Sequence, residues 1–254
     1  IDFFFSHIFK LNKEILMIIF LQNDVSDFPC FFRLLLDFHE QFLPKFNAKN
    51  FTIEEKSKLL LNKNVNGDNI LHFAVNYAEV EQLKKVFEFL KDNFELSDLK
   101  SMMGKNNNGT IFLGILLFLR EDEKFQASFK FAFEVLDKKT FCRLLKNLNI
   151  LFMMVKYLTA DTFKSLVEEY FEIFKELYEE IDENYKLEGE KLIETVICKG
   201  NLDLIKFIYN KFKGAKKIYN THENLLKFAL KNIYDVKIFE FLLNFIANNL
   251  NTEE

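Results

Sequence analysis

Apolar residues recur along the chain at the spacing of amphipathic helices. In three stretches they stand at i, i+3, i+6, i+7 and i+10, which places one apolar stripe along a helix. A fourth stretch begins near residue 31, and Ile1–Leu21 supplies a helix before it. The stripes are Val80, Leu83, Val86, Phe87 and Leu90; Leu202, Ile205, Ile208, Tyr209 and Phe212; Val236, Phe239, Leu242, Leu243 and Ile246; and Phe31, Phe32, Leu35, Leu36 and Phe42.

A shorter pattern, one polar residue followed by apolar ones, occurs five times and indicates a repeat. The segments begin at Asn69, Thr110, Asn149, Lys191 and Asn224, at intervals of 41, 39, 42 and 33 residues. Helix pairs with an exposed apolar face become stable when they stack on neighbouring pairs. We therefore expect an all-α solenoid of stacked antiparallel helix pairs. It forms one repeat domain over 1–254, with a divergent N-terminal repeat (1–63) and units 64–104, 105–146, 147–186, 187–219 and 220–254.

The connections carry turn and cap signals. Asn-Gly at 66–67 and at 108–109 favours turns, because both residues tolerate positive φ. Thr52 and Glu55 form the pattern of a capping box. Ser97 is expected to cap a further short helix that Gly104 ends. Such extra helices in the connections explain repeats of about forty residues. Asp161 is expected to cap the longest helix, with an apolar stripe from Phe163 to Ile181.

The stretch Gly67–Val75, G-D-N-I-L-H-F-A-V, resembles the ankyrin signature G-x-T-P-L-H-x-A-A. Leu71, His72 and Ala74 match, whereas Asn69 replaces Thr and Ile70 replaces Pro. Lys199–Tyr209 resembles the ankyrin second helix and the turn before it. Another helical solenoid and a two-domain helical bundle are the alternative folds.

The resemblance implies helix pairs joined by projecting turns, and a protein partner bound by those turns and the concave helix face. It also implies a structural hydrogen-bonding role for His72. The turn positions that would contact a partner are Asn66, Asp68, Asn106, Asn107, Asn108, Glu188, Glu190 and His222.

The amino-acid composition argues against a β fold and against a nucleic-acid partner. Only 2 Pro and 7 Gly in 254 residues leave little of the turn chemistry that β-hairpins need. The 33 Phe, with no Trp, fall mostly at core-like spacing and match the AT-rich codons that Lys, Asn and Ile share. A net charge of −4 argues against a general phosphate-binding surface, so we expect no nucleic-acid partner.

Candidate chemistry is sparse. Cys30, Cys142 and Cys198 lack metal-ligand spacing and are expected to be small buried residues of a reduced, cytoplasmic protein. The four His have no metal-binding helix spacing. The carboxylates of 176–184 are expected on a solvated helix face, and the lysines of 211–217 at a helix C-terminus. We expect no cofactor and no metal. The apolar run Ile15–Leu21 is too short to span a membrane.

Three functions fit this pattern: a protein-binding scaffold, a regulatory or architectural segment of a larger protein, and an enzyme. An enzyme needs a pocket of convergent titratable groups. No nucleotide-binding or nucleophile motif occurs in the sequence. The sequence therefore favours a non-enzymatic interaction scaffold, with the regulatory segment as the alternative.

Overall fold

The computed structural model describes residues 7–24, 27–108, 110–146, 150–184, 194–211, 230–231 and 235–250. Within these residues all regular secondary structure is helical, and the one β-type contact is an isolated bridge between Asn23 and Pro29. The all-α prediction is therefore confirmed. The contacts divide the chain into unit 1, Ile1–Asp137, and unit 2, Lys138–Glu254. The single repeat domain stays a prediction.

Unit 1 begins with α1 and continues in segments that follow a three-helix pattern. The segments start at α2, α5 and α8, and the third helix of each complete segment is short. The helices are α1 Lys13–Leu21; α2 Cys30–Asp37, α3 His39–Ala48 and α4 Ile53–Leu60; α5 Ile70–Tyr77, α6 Val80–Asn93 and α7 Leu96–Met102; α8 Phe112–Leu119 and α9 Asp122–Val135. The short helices α4 and α7 lie in the connections where the sequence predicts them.

Side-chain caps fix where several of these helices begin. The Thr52 hydroxyl accepts from the Glu55 amide at 3.2 Å, and the Glu55 carboxylate accepts from the Thr52 amide at 2.7 Å, so the predicted capping box is confirmed. The prediction that Ser97 caps α7 is wrong. Glu95 has the extended backbone of an N-cap (φ −69°, ψ 149°), and Ser97 lies within the first turn.

Equivalent helices of consecutive segments pack against each other in unit 1. Helix α5 contacts both α2 and α8, α6 contacts α9, and α4 contacts both α1 and α7. Hydrogen bonds between segments join residues 37 to 45 positions apart in the sequence. The spacing of these bonds matches the repeat interval in the sequence.

Phenylalanine fills the core of unit 1. In α6, Leu83, Val86, Phe87 and Leu90 are buried, which confirms the predicted stripe, and Val80 is half-buried. Phe87 stacks on Phe131 of α9 with ring centroids 4.2 Å apart. Burying one such ring contributes about 1.5–3 kcal/mol. The large side chains that are fully buried in unit 1 are Phe20, Phe31, Phe32, Phe42, Phe46, Phe73, Phe112, Phe125 and Phe129.

Two stretches predicted as single helices are each broken at an aromatic residue. The stripe from Phe31 to Phe42 is divided at Phe38 (φ −132°, ψ 26°) between α2 and α3. In unit 2 the helix predicted from Asp161 is divided at Tyr170 (φ −114°, ψ 35°). Apolar periodicity continues across both breaks, so spacing alone does not reveal them.

Unit 2 contains α10 Lys138–Lys146, α11 Ile150–Tyr157, α12 Ala160–Glu169, α13 Phe171–Asn184, α14 Leu202–Lys211 and α15 Val236–Leu250. Helix α12 contacts α11, α13 and α14, and α10 contacts α13. Thr159, not Asp161, caps α12, because its hydroxyl accepts from the Thr162 amide at 3.3 Å. Residues 212–217 of the predicted lysine cluster lie outside the described residues.

The predicted stripe of α15 is only partly correct. Leu242 is buried, but Val236 and Leu243 are exposed and Phe239 is half-buried. The buried partner of Leu242 on this helix is Ile238, four residues earlier, so the buried face is turned relative to the predicted one. In α14, Ile205 and Ile208 are buried as predicted, together with Leu204.

Among the described helices, none combines the length and the apolar character that crossing a lipid bilayer requires.

Candidate functional site

The two predicted Asn-Gly turns have the same internal geometry. In each, the amide of the first asparagine donates to the carbonyl four residues later: Asn64 to Asp68 at 3.0 Å, and Asn106 to Thr110 at 2.9 Å. The Asn64 Oδ1 atom accepts from the amides of Asn66 (3.0 Å) and Asp68 (2.8 Å). Asn106 Oδ1 likewise accepts from Asn108 (3.0 Å) and Thr110 (2.9 Å). The first asparagine therefore organises each turn.

A third turn of this kind lies one segment earlier and is absent from the predicted sites. The Asp24 amide donates to the Phe28 carbonyl at 2.7 Å, and Asp24 Oδ1 accepts from the Phe28 amide at 3.1 Å. Its fourth residue, Asp27, has φ 63°, like Gly67 with φ 76°. The sequence feature that could have revealed this turn is Asp24, which stands forty positions before Asn64. The turn was missed because Asp27 takes the place of the glycine that marks the later turns.

Consecutive turns are joined by hydrogen bonds, and we call these the turn ladder. The Val65 amide donates to Asp27 Oδ2 at 3.3 Å. One segment later the Asn107 amide donates to the Asn66 carbonyl at 2.9 Å, and Asn107 Nδ2 donates to the Val65 carbonyl at 3.0 Å. Each turn of unit 1 thus lies directly against the next.

Two side chains reinforce the contact between the turn that begins at Asn64 and the turn that begins at Asn106. Asn106 Nδ2 donates to Asp68 Oδ1 at 2.7 Å. A Cβ atom on Gly67 would lie only 2.9 Å from the backbone nitrogen of Asn107. Gly67 therefore has two reasons to lack a side chain, its positive φ and the close approach of the next turn.

The predicted binding residues divide into two groups in the structure. Asp68, Asn106 and Asn107 use their side chains to join one turn to the next. Asn66 and Asn108 are exposed, and in the described part of the chain their side chains make no hydrogen bond. Glu188, Glu190 and His222 lie outside the described residues. The exposed part of the turn edge is therefore Asn66, Asn108 and the neighbouring Val65, which is 72% exposed.

His72 connects α5 to the following turn. It is completely buried, its Nε2 lies 3.1 Å from the Thr110 carbonyl, and its Nδ1 lies 3.4 Å from the Asn69 amide nitrogen. Since a carbonyl can only accept, Nε2 donates to Thr110; Nδ1 faces both the Asn69 Oδ1 atom, at 2.9 Å, and the Asn69 amide.

Burial lowers the pKa of His72 below its usual range. The hydrogen bond to the Thr110 carbonyl and the charge of Asp68 oppose this effect, and the charge of Lys63 adds to it. The neutral ring supports the structural role that the resemblance implies.

The cysteines do not form a reactive site in the described residues. Cys142 is buried and Cys30 is half-buried, and burial raises the pKa of both thiols, which disfavours the reactive thiolate. The prediction that all three cysteines are buried is therefore confirmed for Cys142, met in part for Cys30 and wrong for Cys198, which is exposed. Across the described ranges, no group of three or more His, Cys, Asp or Glu is placed to hold a metal ion.

Comparison of the chain with models of known protein families, with curated proteins and with solved structures gives no match.

Proposed function

We propose that the chain is a non-enzymatic protein–protein interaction scaffold of ankyrin-like type, in which consecutive segments stack as a solenoid. The turn ladder supports this proposal most directly. Three turns at equivalent positions of consecutive segments lie side by side, joined by backbone and side-chain hydrogen bonds. Such an arrangement offers a partner an edge with a repeating shape.

The division of labour within the turns also supports a binding role for this edge. Asn64 and Asn106 hold the turn conformation from within, and Asp68 and Asn107 bind the neighbouring turn. Asn66 and Asn108 point out of this network and are exposed. Because the backbone beneath them is already fixed, this chain would lose little conformational entropy when a partner binds the edge.

The test is retention of partner proteins by the immobilised full-length chain. We expect the double variant Asn66→Lys with Asn108→Lys to lose at least about tenfold of each specifically retained protein, since two new charges stand at the centre of the proposed edge. Circular dichroism and the urea midpoint should match those of the wild type, because neither side chain makes a hydrogen bond within the described residues.

The matched control places two lysines elsewhere on unit 1. Gln41 and Asn47 of α3 are exposed and lie outside the turns, so Gln41→Lys with Asn47→Lys adds the same two positive charges and should leave retention unchanged. Equal retention by the turn variant and the control would contradict the proposed edge. Equal loss in both variants would indicate nonspecific charge effects.

A further inference from the structure

The short third helices of unit 1 meet their predecessors at two equivalent contacts, α1 with α4 and α4 with α7. The N-caps Asn12, Thr52 and Glu95 define the correspondence. Relative to them, Lys13 in α1 corresponds to Ile53 in α4, and Glu55 in α4 corresponds to Asp98 in α7. The two residues before the cap are Asn-Phe in both cases, at 50–51 and at 93–94.

At the first contact a lysine fills the space between the two helices. Lys13 Nζ donates to the Asn50 carbonyl at 2.8 Å and lies 3.4 Å from Glu55 Oε2. The same ammonium lies 5.8 Å from the centre of the Phe51 ring, within the range of a cation–π contact. The carbonyl, the ring and the carboxylate together form a cation-binding set supplied by the following segment.

At the second contact Asn93, Phe94 and Asp98 stand at the equivalent sequence positions, but the lysine is replaced by Ile53. Asn93, Phe94 and Asp98 line a groove of about 140 Å³, and Ile53 forms part of its wall. On this measure a single water molecule needs about 10–15 Å³, so the groove has room for one extended side chain. Ile53 is 63% exposed and gives this wall of the groove an apolar surface.

The groove carries more negative than positive charge. Its carboxylates are Asp92, Glu95 and Asp98, and none of them forms an ion pair in the described structure. Asp98 accepts from the Ser57 hydroxyl. The one cation lining the groove, Lys56, donates to Asn93 Oδ1 at 3.3 Å and pairs with no carboxylate in the described part of the chain. Elsewhere in unit 1, carboxylates at segment contacts pair with lysines, as Glu40 with Lys85 and Glu134 with Lys91.

We propose that the groove between α4 and α7 binds a lysine or arginine side chain of a partner protein, in the place that Lys13 occupies one segment earlier. The aliphatic part of that side chain lies against Ile53 and Phe94, and its charged end meets Asp98. This proposal rests on the proposed scaffold function and names the chemistry of one contact. The groove is a site separate from the turn edge.

The test uses two short peptides and the full-length chain. Acetyl-Gly-Lys-Gly-amide supplies the cation, and the peptide with norleucine in place of lysine supplies the same aliphatic chain without charge. Amide chemical shifts are followed by nuclear magnetic resonance. We expect the lysine peptide to shift residues 53–57 and 92–98 saturably, and the norleucine peptide to bind at least about tenfold more weakly, since the charged contact is lost.

Three variants sharpen the test. Asp98→Asn keeps the shape of the side chain and should weaken the lysine peptide at least about fivefold. Ile53→Lys restores the lysine of the first contact and should abolish peptide binding by filling the groove. Glu54→Gln is the matched control, because Glu54 is exposed and pairs with Lys58 on the same helix, and it should bind like the wild type.

Equal binding of the two peptides, or full binding by Ile53→Lys, would overturn the proposal. Asp98→Asn decides the question if Ile53→Lys fails to fold. The groove proposal and the scaffold proposal can be refuted independently of each other. If the peptides do not bind but Asn66→Lys with Asn108→Lys still loses partner proteins, the groove proposal alone is refuted.

Discussion

Helices α5 and α8 occupy equivalent places in consecutive segments, yet their N-terminal ends are held differently. In α5 the Asn69 side chain accepts from the amides of Leu71 and His72, and its amide group donates to the Met102 carbonyl at 2.7 Å. In α8 the corresponding cap is Ile111, which has no side-chain hydrogen bond, and Gly114 stands at the position of His72. A side-chain cap holds the first turn of α5, whereas the first turn of α8 has no side-chain cap.

The difference shows that the first helix of a segment can form without the Asn and His of the ankyrin-like signature. Every residue from Phe112 to Leu117 except Ile115 is buried, so α8 is fixed by its apolar contacts on almost every side. His72 serves both helices, because its Nε2 reaches the Thr110 carbonyl just before α8. The polar cluster of Asn69 and His72 thus joins two segments. The second of these segments therefore needs no signature Asn or His of its own.

The largest expected effect concerns the buried leucine that α5 and α8 have in common. Leu71 and Leu113 are equivalent and both completely buried, so Leu71→Ala and Leu113→Ala should each cost about 2–5 kcal/mol in free energy of unfolding, measured in urea. Leu119→Ala is the control in α8; this side chain is 46% exposed and should cost well under either. A loss near 0.5 kcal/mol at Leu71, roughly that of an ordinary surface site, would contradict the register.

The second prediction concerns the polar end of α5. Asn69→Ala removes the cap and leaves the buried Met102 carbonyl without its donor, and should cost about 1–3 kcal/mol by the same measurement. Asn69→Ser keeps a capping oxygen and should recover part of that loss. Equal destabilisation by both variants would show that the cap contributes nothing.

A smaller effect is expected at the turn before α5. Gly67→Ala places a side chain at φ 76° and against Asn107, and should cost at least about 1–2 kcal/mol. Gly104→Ala is the matched control, because its new Cβ would have its nearest neighbour at 3.5 Å and no positive φ opposes it. The Gly104 variant should stay within about 0.5 kcal/mol of the wild type. Equal costs would mean that the turn contact is not specific.

The smallest expected effect is a pH dependence of stability that arises from His72 of α5, whose equivalent position in α8 is the non-titrating Gly114. The pKa of His72 is lowered in the folded chain, so the unfolded chain takes up the proton first as the pH falls. The contribution of His72 to stability is therefore complete above about pH 6.5 and decreases as the pH falls below it, by at most about 1.4 kcal/mol per pH unit.

Urea unfolding of the wild type and His72→Gln at pH 7.5 and 5.5 measures this contribution. Glutamine can still donate to the Thr110 carbonyl but does not titrate, so the variant should lose less stability than the wild type between the two values. Identical pH dependence in both proteins would exclude His72 as the titrating group.

Much of the fold was readable from the sequence where one local signal decides the structure. Apolar spacing identified α6, and the pair Thr52 and Glu55 identified the start of α4. The breaks at Phe38 and Tyr170 were missed, because a single residue leaves the helical region while the apolar spacing continues. Ser97 and Asp161 were each placed at a cap and lie instead within the first turn.

The site was harder to predict, because its geometry depends on contacts between segments. The Asn-Gly pairs marked two turns correctly, but nothing local shows that Asn107 reaches Val65 or that Asn106 reaches Asp68. The turn at Asp24 lacks glycine, and its aspartate at 27 adopts a positive φ that is uncommon for such a residue. The lysine missing from the groove has no local signal, because Ile53 corresponds to Lys13 only through the caps that precede the two helices.

The turn ladder constrains how a chain of this kind can change length. Adding or removing a whole segment would keep the donor of one turn opposite the acceptor of the previous turn. Deleting a single residue between Asn64 and Asp68 would misalign the bonds to Asp27 on one side and to Asn107 on the other. Insertions in the connections away from the turns would leave those bonds intact, so length variation among descendants of this sequence should avoid the turns.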